Sequence, residues 1–204
     1  MARVILLTGF EPFGGERSNP SWEVAARLDR REINGATIGA LRLPVNCRRA
    51  SRMVAAAIER LAPVAVVGLG QAGGRPVLSL EKVALNLADE RADRERDGGL
   101  SGKPVVAGGP DAYFTRLPLA PILRALKRHE IPAAMSLSAG VYVCNTAMYS
   151  ALHALRRRRR VRAGFIHLPY TAGQAARHRA VASMSIETMT AGIEIALDVV
   201  ARGL

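Results

Sequence analysis

Apolar and polar positions switch between two periods along the chain, and the switches mark out its elements. Residues 3–8 are almost continuously apolar and read as a buried strand, followed by a Gly/Pro/Asn loop over 9–20. A helix is predicted over 21–30, with Pro20 well placed beside its first turn. Residues 37–43 are strand-like. The stretch 46–61 is an amphipathic helix carrying Ala50, Met53, Val54, Ala57, Ile58 and Leu61 on one face, where Cys47 also packs. A buried strand over 64–69 leads into Gly-Gln-Ala-Gly-Gly-Arg, and 78–87 alternates with period two. Beyond the charged stretch 89–97, the pattern predicts a helix at 121–128, a strand at 133–137, a helix at 145–157 and a strand at 161–168. A long helix at 183–202 comes last. No internal repeat is present.

Buried runs alternating with helices predict a single three-layer α/β/α domain over 1–204, with a mostly parallel, twisted central sheet. Ligands of such sheets gather beyond the carboxyl ends of the strands. Parallel strands would therefore bring the 9–20 loop, the 71–75 loop, Cys144 and the His167 region to one rim. The last helix carries Ile186, Met189, Ile193, Leu197 and Val200 on one face, with Met184, Ile195 and Val199 elsewhere, a girth that suggests subunit contacts.

Composition changes this picture little. Of the 204 residues, 49% are apolar and 23% charged, ordinary for a globular domain. No apolar run is long enough to cross a bilayer, and the N-terminal apolar run is too short for a secretory signal. Two cysteines make no disulfide framework, and no Cys/His spacing resembles a zinc site, so a cytoplasmic location is expected. The net charge of +12 comes mainly from arginine, most densely at 156–160. The run suits a solvated helix C-terminus better than a phosphate patch, because no interleaved aromatics or nucleic-acid motif accompany it.

The candidate chemistry begins with a motif that fails. Gly68 to Gly73 matches G-x-G-x-x-G after a strand, with Asp93 at a suitable distance for a ribose. A dinucleotide fingerprint needs a helix directly behind its glycines, whereas Pro76 here precedes another alternating strand. Among the histidines, His129, His153 and His178 have polar neighbours and read as solvated, while His167 alone interrupts an apolar run. Glu81 shares strand parity with Val83, Leu85 and Leu87, which buries its carboxylate and obliges it to find a partner. That partner is either a structural arginine or a histidine held for catalysis. Cys144 lies on the apolar stripe of Ala147, Met148, Ala151, Leu152 and Leu155, so periodicity alone makes it a packing residue. Together, however, Cys144, His167 and Glu81 supply a nucleophile, a general base and a base-orienting carboxylate. A thiol at a helix N-terminus beside an imidazole is expected to ionise readily.

Five blocks, in order, resemble one family: L-L-T-G-F-E-P-F-G-G with N-P-S-W, G-L-G-Q-A-G-G-R, E-K-V-A-L-N, L-S-A-G-V-Y-V-C-N and G-F-I-H-L-P-Y. The chain resembles the pyroglutamyl peptidases of type I, cysteine peptidases that remove N-terminal pyroglutamate from peptides. The resemblance implies that Cys144 is the nucleophile, His167 the base and acid, and Glu81 the residue orienting His167. It implies that Phe10 and Phe13 sandwich the lactam ring, with Tyr142 where the family usually has phenylalanine. Gln71 and the backbone at Val143 would read the lactam amide, Asn19 would support the loop, and Arg91 would lie near the oxyanion. No metal or cofactor is implied, and the partners are pyroglutamyl peptides and further copies of the chain, a tetramer by the family pattern. The chain departs from the family in reading Ala-Asp-Arg-Glu after Arg91 in place of Ile-Pro-Asp-Asn, and in Thr146. These departures leave a second reading, a catalytically weak relative that binds lactams or peptide ends.

Overall fold

The apolar runs become strands of one eight-stranded sheet in a computed structural model that describes residues 3–89 and 103–203. Strands β1 (Arg3–Phe10), β3 (Ala36–Leu43), β4 (Ala65–Gln71) and β8 (Arg162–Leu168) lie parallel in the order β3-β1-β4-β8. Strand β5 (Leu78–Leu85) runs antiparallel to β8 and carries β7 (Ala133–Ser138) parallel on its other edge. The short strands β2 (Glu32–Ile33) and β6 (Ala112–Phe114), which the apolar pattern did not announce, add antiparallel to β3 and β5.

Helices cover both faces. Helices α1 (Pro20–Leu28), α3 (Leu119–Arg128) and α6 (Ile186–Ala201) pack on one side, where Val24, Leu28, Ile122, Leu126, Met189 and Ile193 share a core with Ile5, Leu7 and Val67. Helices α2 (Cys47–Leu61) and α4 (Val143–Ala154) pack on the other, around Leu6, Val66 and Phe165. The apolar girth of α6 is largely taken up inside the molecule, since Ile186, Ile195 and Val199 also pack against the first core. No helix among the described residues is long and apolar enough to cross a membrane.

Local chemistry sets the helix starts. Asn46 caps α2 by accepting from the Arg49 amide at 2.9 Å, and Ser185 caps α6 through the Thr188 amide at 3.0 Å. Helix α4 starts without a side-chain cap and is buried over Val143–Leu152 on every side, well beyond the single stripe that its periodicity predicts. Polar partners make this burial affordable. Ser150 Oγ meets Ser51 Oγ of α2 at 2.8 Å, and the Tyr149 hydroxyl donates to the Pro110 carbonyl at 2.7 Å. Asn145 Oδ1 accepts from the Leu85 amide at 2.8 Å. Its Nδ2 donates to the carbonyls of Leu85 and Leu87, at 2.9 and 2.8 Å. One side chain thus clamps the start of α4 to the end of β5.

Two arginines outside the 156–160 run close helix C-termini. Arg116 donates to the carbonyls of Leu152, Leu155 and Arg158, and Arg162 donates to those of Val199, Val200 and Gly203. Each guanidinium closes a helix C-terminus, where positive charge opposes the dipole. Arg156–Arg160 themselves lie exposed in the turns that follow.

Asn145→Ala should destabilise the fold by about 3 kcal/mol, because three part-buried backbone groups lose their partner at once. Urea unfolding of the variant against the parent measures it; a midpoint within error of the parent would show that α4 is held by packing alone.

Candidate active site

Strand parity assembles the site. In β4 and β8, Val67, Leu69, Ile166 and Leu168 face the α1–α3–α6 layer, which turns Gly68, Gly70, Phe165 and His167 toward α4. Register places Gly70 beside His167, and His167 beside Ser79 of β5, with Glu81 two residues further along the same face. Helix α4 crosses above and directs Cys144 Sγ at Gly70. A Cβ built on Gly70 would lie 2.8 Å from that sulfur and 2.8 Å from the Phe165 ring. The glycine thus leaves the room that the thiol occupies, and the G-x-G pattern serves close approach to a side chain rather than a pyrophosphate.

His167 Nδ1 lies 2.7 Å from Glu81 Oε1. An ionised carboxylate only accepts, so in the neutral ring the proton sits on Nδ1 and the Nε2 lone pair is available. Glu81 is fully buried, as expected, but the expected reason needs correction. Val83 and Leu85 on its own parity are only half-buried, while Leu78, Ser79 and Leu80 are buried on both sides. It is the cover of α4 and the flanking β7 and β8 that seal this part of β5. Because β5 runs against β8, Glu81 also reaches the site from mid-strand and not from a carboxyl-end rim.

Burial pushes the Glu81 carboxyl up, but the hydrogen bond and charge of His167, with Ser136 and Arg75, outweigh it and hold the group below its ordinary value. Arg75 enters from the turn after β4 and sets Nη1 2.6 Å from the same Oε1, leaving Oε2 buried without a hydrogen-bond partner. Cys144 is 7% exposed, and burial followed by the charge of Glu81 pushes its thiol up to about 12. The expectation of a readily ionised thiol is thereby corrected: the helix start favours the thiolate, but desolvation outweighs it. No hydrogen bond joins Sγ to His167 among the described residues.

The residues expected around a substrate line a narrow cavity at Cys144, formed by Phe10, Phe13, Asn19, Gln71, Tyr142 and Val143. Phe10 ends β1 and is buried; the Phe13 and Tyr142 rings are 6.3 Å apart and tilted by 46°. Asn19 caps α1, with Oδ1 accepting from Ser21 N at 3.0 Å and Ser21 Oγ at 2.7 Å, while Nδ2 ties to the Glu11 carbonyl at 3.0 Å. Val143 is the first residue of α4. Arg91 and Asp93 lie outside the described residues.

Two wall elements escaped sequence reasoning. Val45 joins the cavity from the β3–α2 link, where no periodic signal marks it. Gln174 lies in the four-residue helix α5 (Ala172–Ala175) and bonds to Gln71 at 2.8 Å; its T-x-x-Q capping box was the available signal. Of the three histidines read as solvated, His129 and His178 are exposed and only His153, which is half-buried, needs correction. His153 Nδ1 pairs with the Tyr113 hydroxyl at 3.0 Å, and His178 stacks on Tyr170 and pairs with Glu16. Larger hollows of about 520 and 540 Å³ each include several cationic side chains in their walls and contain none of the Cys144, His167 and Glu81 groups. Among the described residues no group of three or more His, Cys, Asp or Glu could hold a metal ion.

Set out this way, the residues describe a thiol hydrolase built on an α/β scaffold. The chain belongs to the pyroglutamyl peptidase family, whose model matches residues 3–203. It is 47% identical over 195 residues to a pyrrolidone-carboxylate peptidase of Gloeobacter violaceus, covering 96% of this chain and 95% of that one. A pyrrolidone-carboxylate peptidase of Klebsiella pneumoniae is 44% identical, with 97% and 92% covered. The fold matches the crystal structure of pyroglutamyl peptidase I from Bacillus amyloliquefaciens with a TM-score of 0.89 at 36% identity, covering 98% and 96% of the two chains. A variant pyrrolidone carboxyl peptidase from Pyrococcus furiosus matches at 0.90 and 34% identity, covering 98% and 99%.

Two predictions follow from this geometry. Gly70→Ala forces the sulfur or the Phe165 ring aside, so thiol-dependent turnover should fall by at least about 100-fold, since misplacement by about 1 Å is enough for that. Circular dichroism should show the fold retained; parent-like turnover would contradict the placement of Cys144. Glu81, lowered in the folded state, contributes stability that is present above the unfolded value of 4.5 and lost as pH falls through its folded value. Arg75→Gln weakens that lowering, so the acid-unfolding midpoint should move to higher pH, and an unmoved midpoint would exclude the coupling.

Proposed function

We propose that the chain hydrolyses the amide bond after an N-terminal pyroglutamyl residue, with Cys144 as nucleophile, His167 as acid and base, and Glu81 as the orienting carboxylate. The observation that carries this reading is the buried Glu81–His167 pair, on the sheet face to which Cys144 presents its sulfur across Gly70. Sγ attacks the scissile carbonyl carbon while its proton passes to His167 Nε2. Sulfur and Nε2 close to contact as substrate fills the cavity, a tightening common between free and loaded sites. The oxyanion forms beside the Cys144 amide at the uncapped start of α4, whose N–H groups are available to it. Collapse of the intermediate expels the amine, protonated by His167, and leaves a pyroglutamyl thioester. His167 then deprotonates water, which attacks the thioester and frees both the acid and the thiol.

Specificity follows from the walls. A flat, uncharged lactam ring suits the aromatic walls of Phe10, Phe13 and Tyr142, and Gln71 with the Val143 backbone would satisfy its amide. A charged N-terminus would lose its hydration without a compensating carboxylate in the cavity lining. The family membership supports this substrate class. The same reading includes a cytoplasmic home, residues 1–204 acting as one domain, and assembly with further copies of the chain.

Release of a chromogenic amine from a pyroglutamyl amide tests the proposal against the matching prolyl and glutamyl amides. Pyroglutamyl turnover should exceed the others by at least about 1000-fold, as befits a site whose buried amide groups go unpaired with the wrong ring. Cys144→Ala and Cys144→Ser should each lose at least about 10⁴-fold in kcat. Equal turnover of all three amides, or an active Cys144→Ala enzyme, would remove the reading.

A further inference from the structure

The amide of Gln71 is not free to choose which end it shows to the cavity. Gln174 Nε2 donates to Gln71 Oε1 at 2.8 Å and to the Ser18 carbonyl at 3.3 Å. Gln174 Oε1 accepts from the Thr171 backbone N–H at 3.1 Å, and the Gln174 backbone N–H donates to Thr171 Oγ1 at 3.3 Å. A backbone N–H can only donate and a backbone carbonyl can only accept, so the two ends of the Gln174 amide are fixed by groups that have no alternative. The side chain is 1% exposed, which removes water as a competing partner. Its polarity passes to Gln71: the oxygen of Gln71 is engaged by a donor, and only its NH₂ is left for the cavity.

We propose that Gln174 is a positioning residue for substrate specificity, one that locks Gln71 so the cavity offers a hydrogen-bond donor to the lactam carbonyl. The proposal rests on the reading of the cavity as a pyroglutamyl site. Its contribution is to name the source of the selectivity. A freely turning Gln71 would present oxygen as readily as nitrogen, and the oxygen would repel the carbonyl of the lactam. The order Thr171 N–H to Gln174, Gln174 to Gln71, and Gln71 to substrate removes that alternative before substrate arrives. Ser18 is part of the same arrangement, so the lock also ties the 11–19 loop carrying Phe13 to α5. Glu16 of that loop strengthens the tie by pairing with Arg177 and His178 just beyond α5.

The test is Gln174→Glu, a substitution of nearly equal shape. At neutral pH the introduced carboxylate can only accept. It still receives the Thr171 amide, but its other oxygen now calls the NH₂ of Gln71 away from the cavity. KM for a pyroglutamyl amide should rise about 10- to 100-fold at pH 7.5, with kcat changed much less, because a binding contact is lost and the reacting groups are not. Acidification restores the order: a protonated carboxyl donates to Gln71 while its carbonyl oxygen still accepts from Thr171. The KM of the variant relative to the parent should therefore fall as pH drops from 7.5 to 5.5, a trend that a purely structural defect would not produce. Binding of 2-pyrrolidone, followed as competitive inhibition, should show the same ratio and the same trend. Gln174→Met provides the second variant, with a smaller loss of about 5-fold that is independent of pH.

A Gln174→Glu enzyme with parental KM, or with a raised KM that does not change with pH, would overturn the lock. If Gln174→Glu fails to fold, a parental KM in Gln174→Met would overturn it equally. A parent enzyme that releases no amine from a pyroglutamyl amide would instead overturn the substrate reading, which keeps the two failures distinct.

Discussion

The arrangement around the site depends on a carboxylate that water cannot reach. Glu81 lies under α4 with no exposed surface, and an ionised carboxylate in such a place is tolerated only with partners of opposite charge or good donors. Its two shortest contacts converge on one oxygen, His167 Nδ1 at 2.7 Å and Arg75 Nη1 at 2.6 Å. The imidazole is therefore not merely adjacent to an acid; with Arg75 and Ser136 it is one of the groups that allow the acid to be buried. That requirement fixes the ring's orientation and tautomer more firmly than packing would, and it is paid from the rim by an arginine that keeps part of its side chain in solvent.

Around this pair, the sheet makes room by omission. The α4 side of β4 has glycine at positions 68 and 70, where any larger residue would collide with Phe165 or Cys144. The sulfur can approach the strand that pairs with His167 only because side chains are missing there. On the other side of the same strand, Val67 and Leu69 pack normally into the first core. The difference between the two faces shows that the glycines are a property of the site and not of the strand. Asn145, immediately after the cysteine, then holds the helix start in place by clamping to β5, the strand that bears Glu81. Sulfur, imidazole and carboxylate are thus referenced to one another through the backbone of β4, β5 and β8.

Much of this is legible in the amino-acid sequence. Alternating buried runs and helices gave the layer order, Pro76 ruled out a nucleotide loop, and Glu81 stood out because its strand had no reason to contain a carboxylate. The parts that were not legible have a common cause. The direction of β5, the burial of α4 on every side and the partnership of Gln71 with Gln174 all depend on segments far apart in the chain, and local periodicity carries no information about them. The thiol shows the same limit. Its place at a helix start was visible, and the dipole alone would lower its pKa. The depth of its burial was not visible, and burial decides the sign.

That sign bears on how the site works. Exclusion of water makes the cavity hostile to a charged amine, and the same exclusion keeps the sulfur protonated. The uncharged slot and the high thiol pKa are two consequences of one property. In the proposed reaction activation would occur as the proton crosses to His167, and Glu81 would act on both ends of that transfer. Its charge opposes the thiolate through space, but it supports the imidazolium from hydrogen-bond distance. Coulomb energy falls with separation, so the closer partner gains more than the farther one loses. Moving the proton from sulfur to nitrogen would therefore be assisted by a carboxylate that, with the thiol alone, would hinder it. A carboxylate placed nearer the sulfur would reverse that balance.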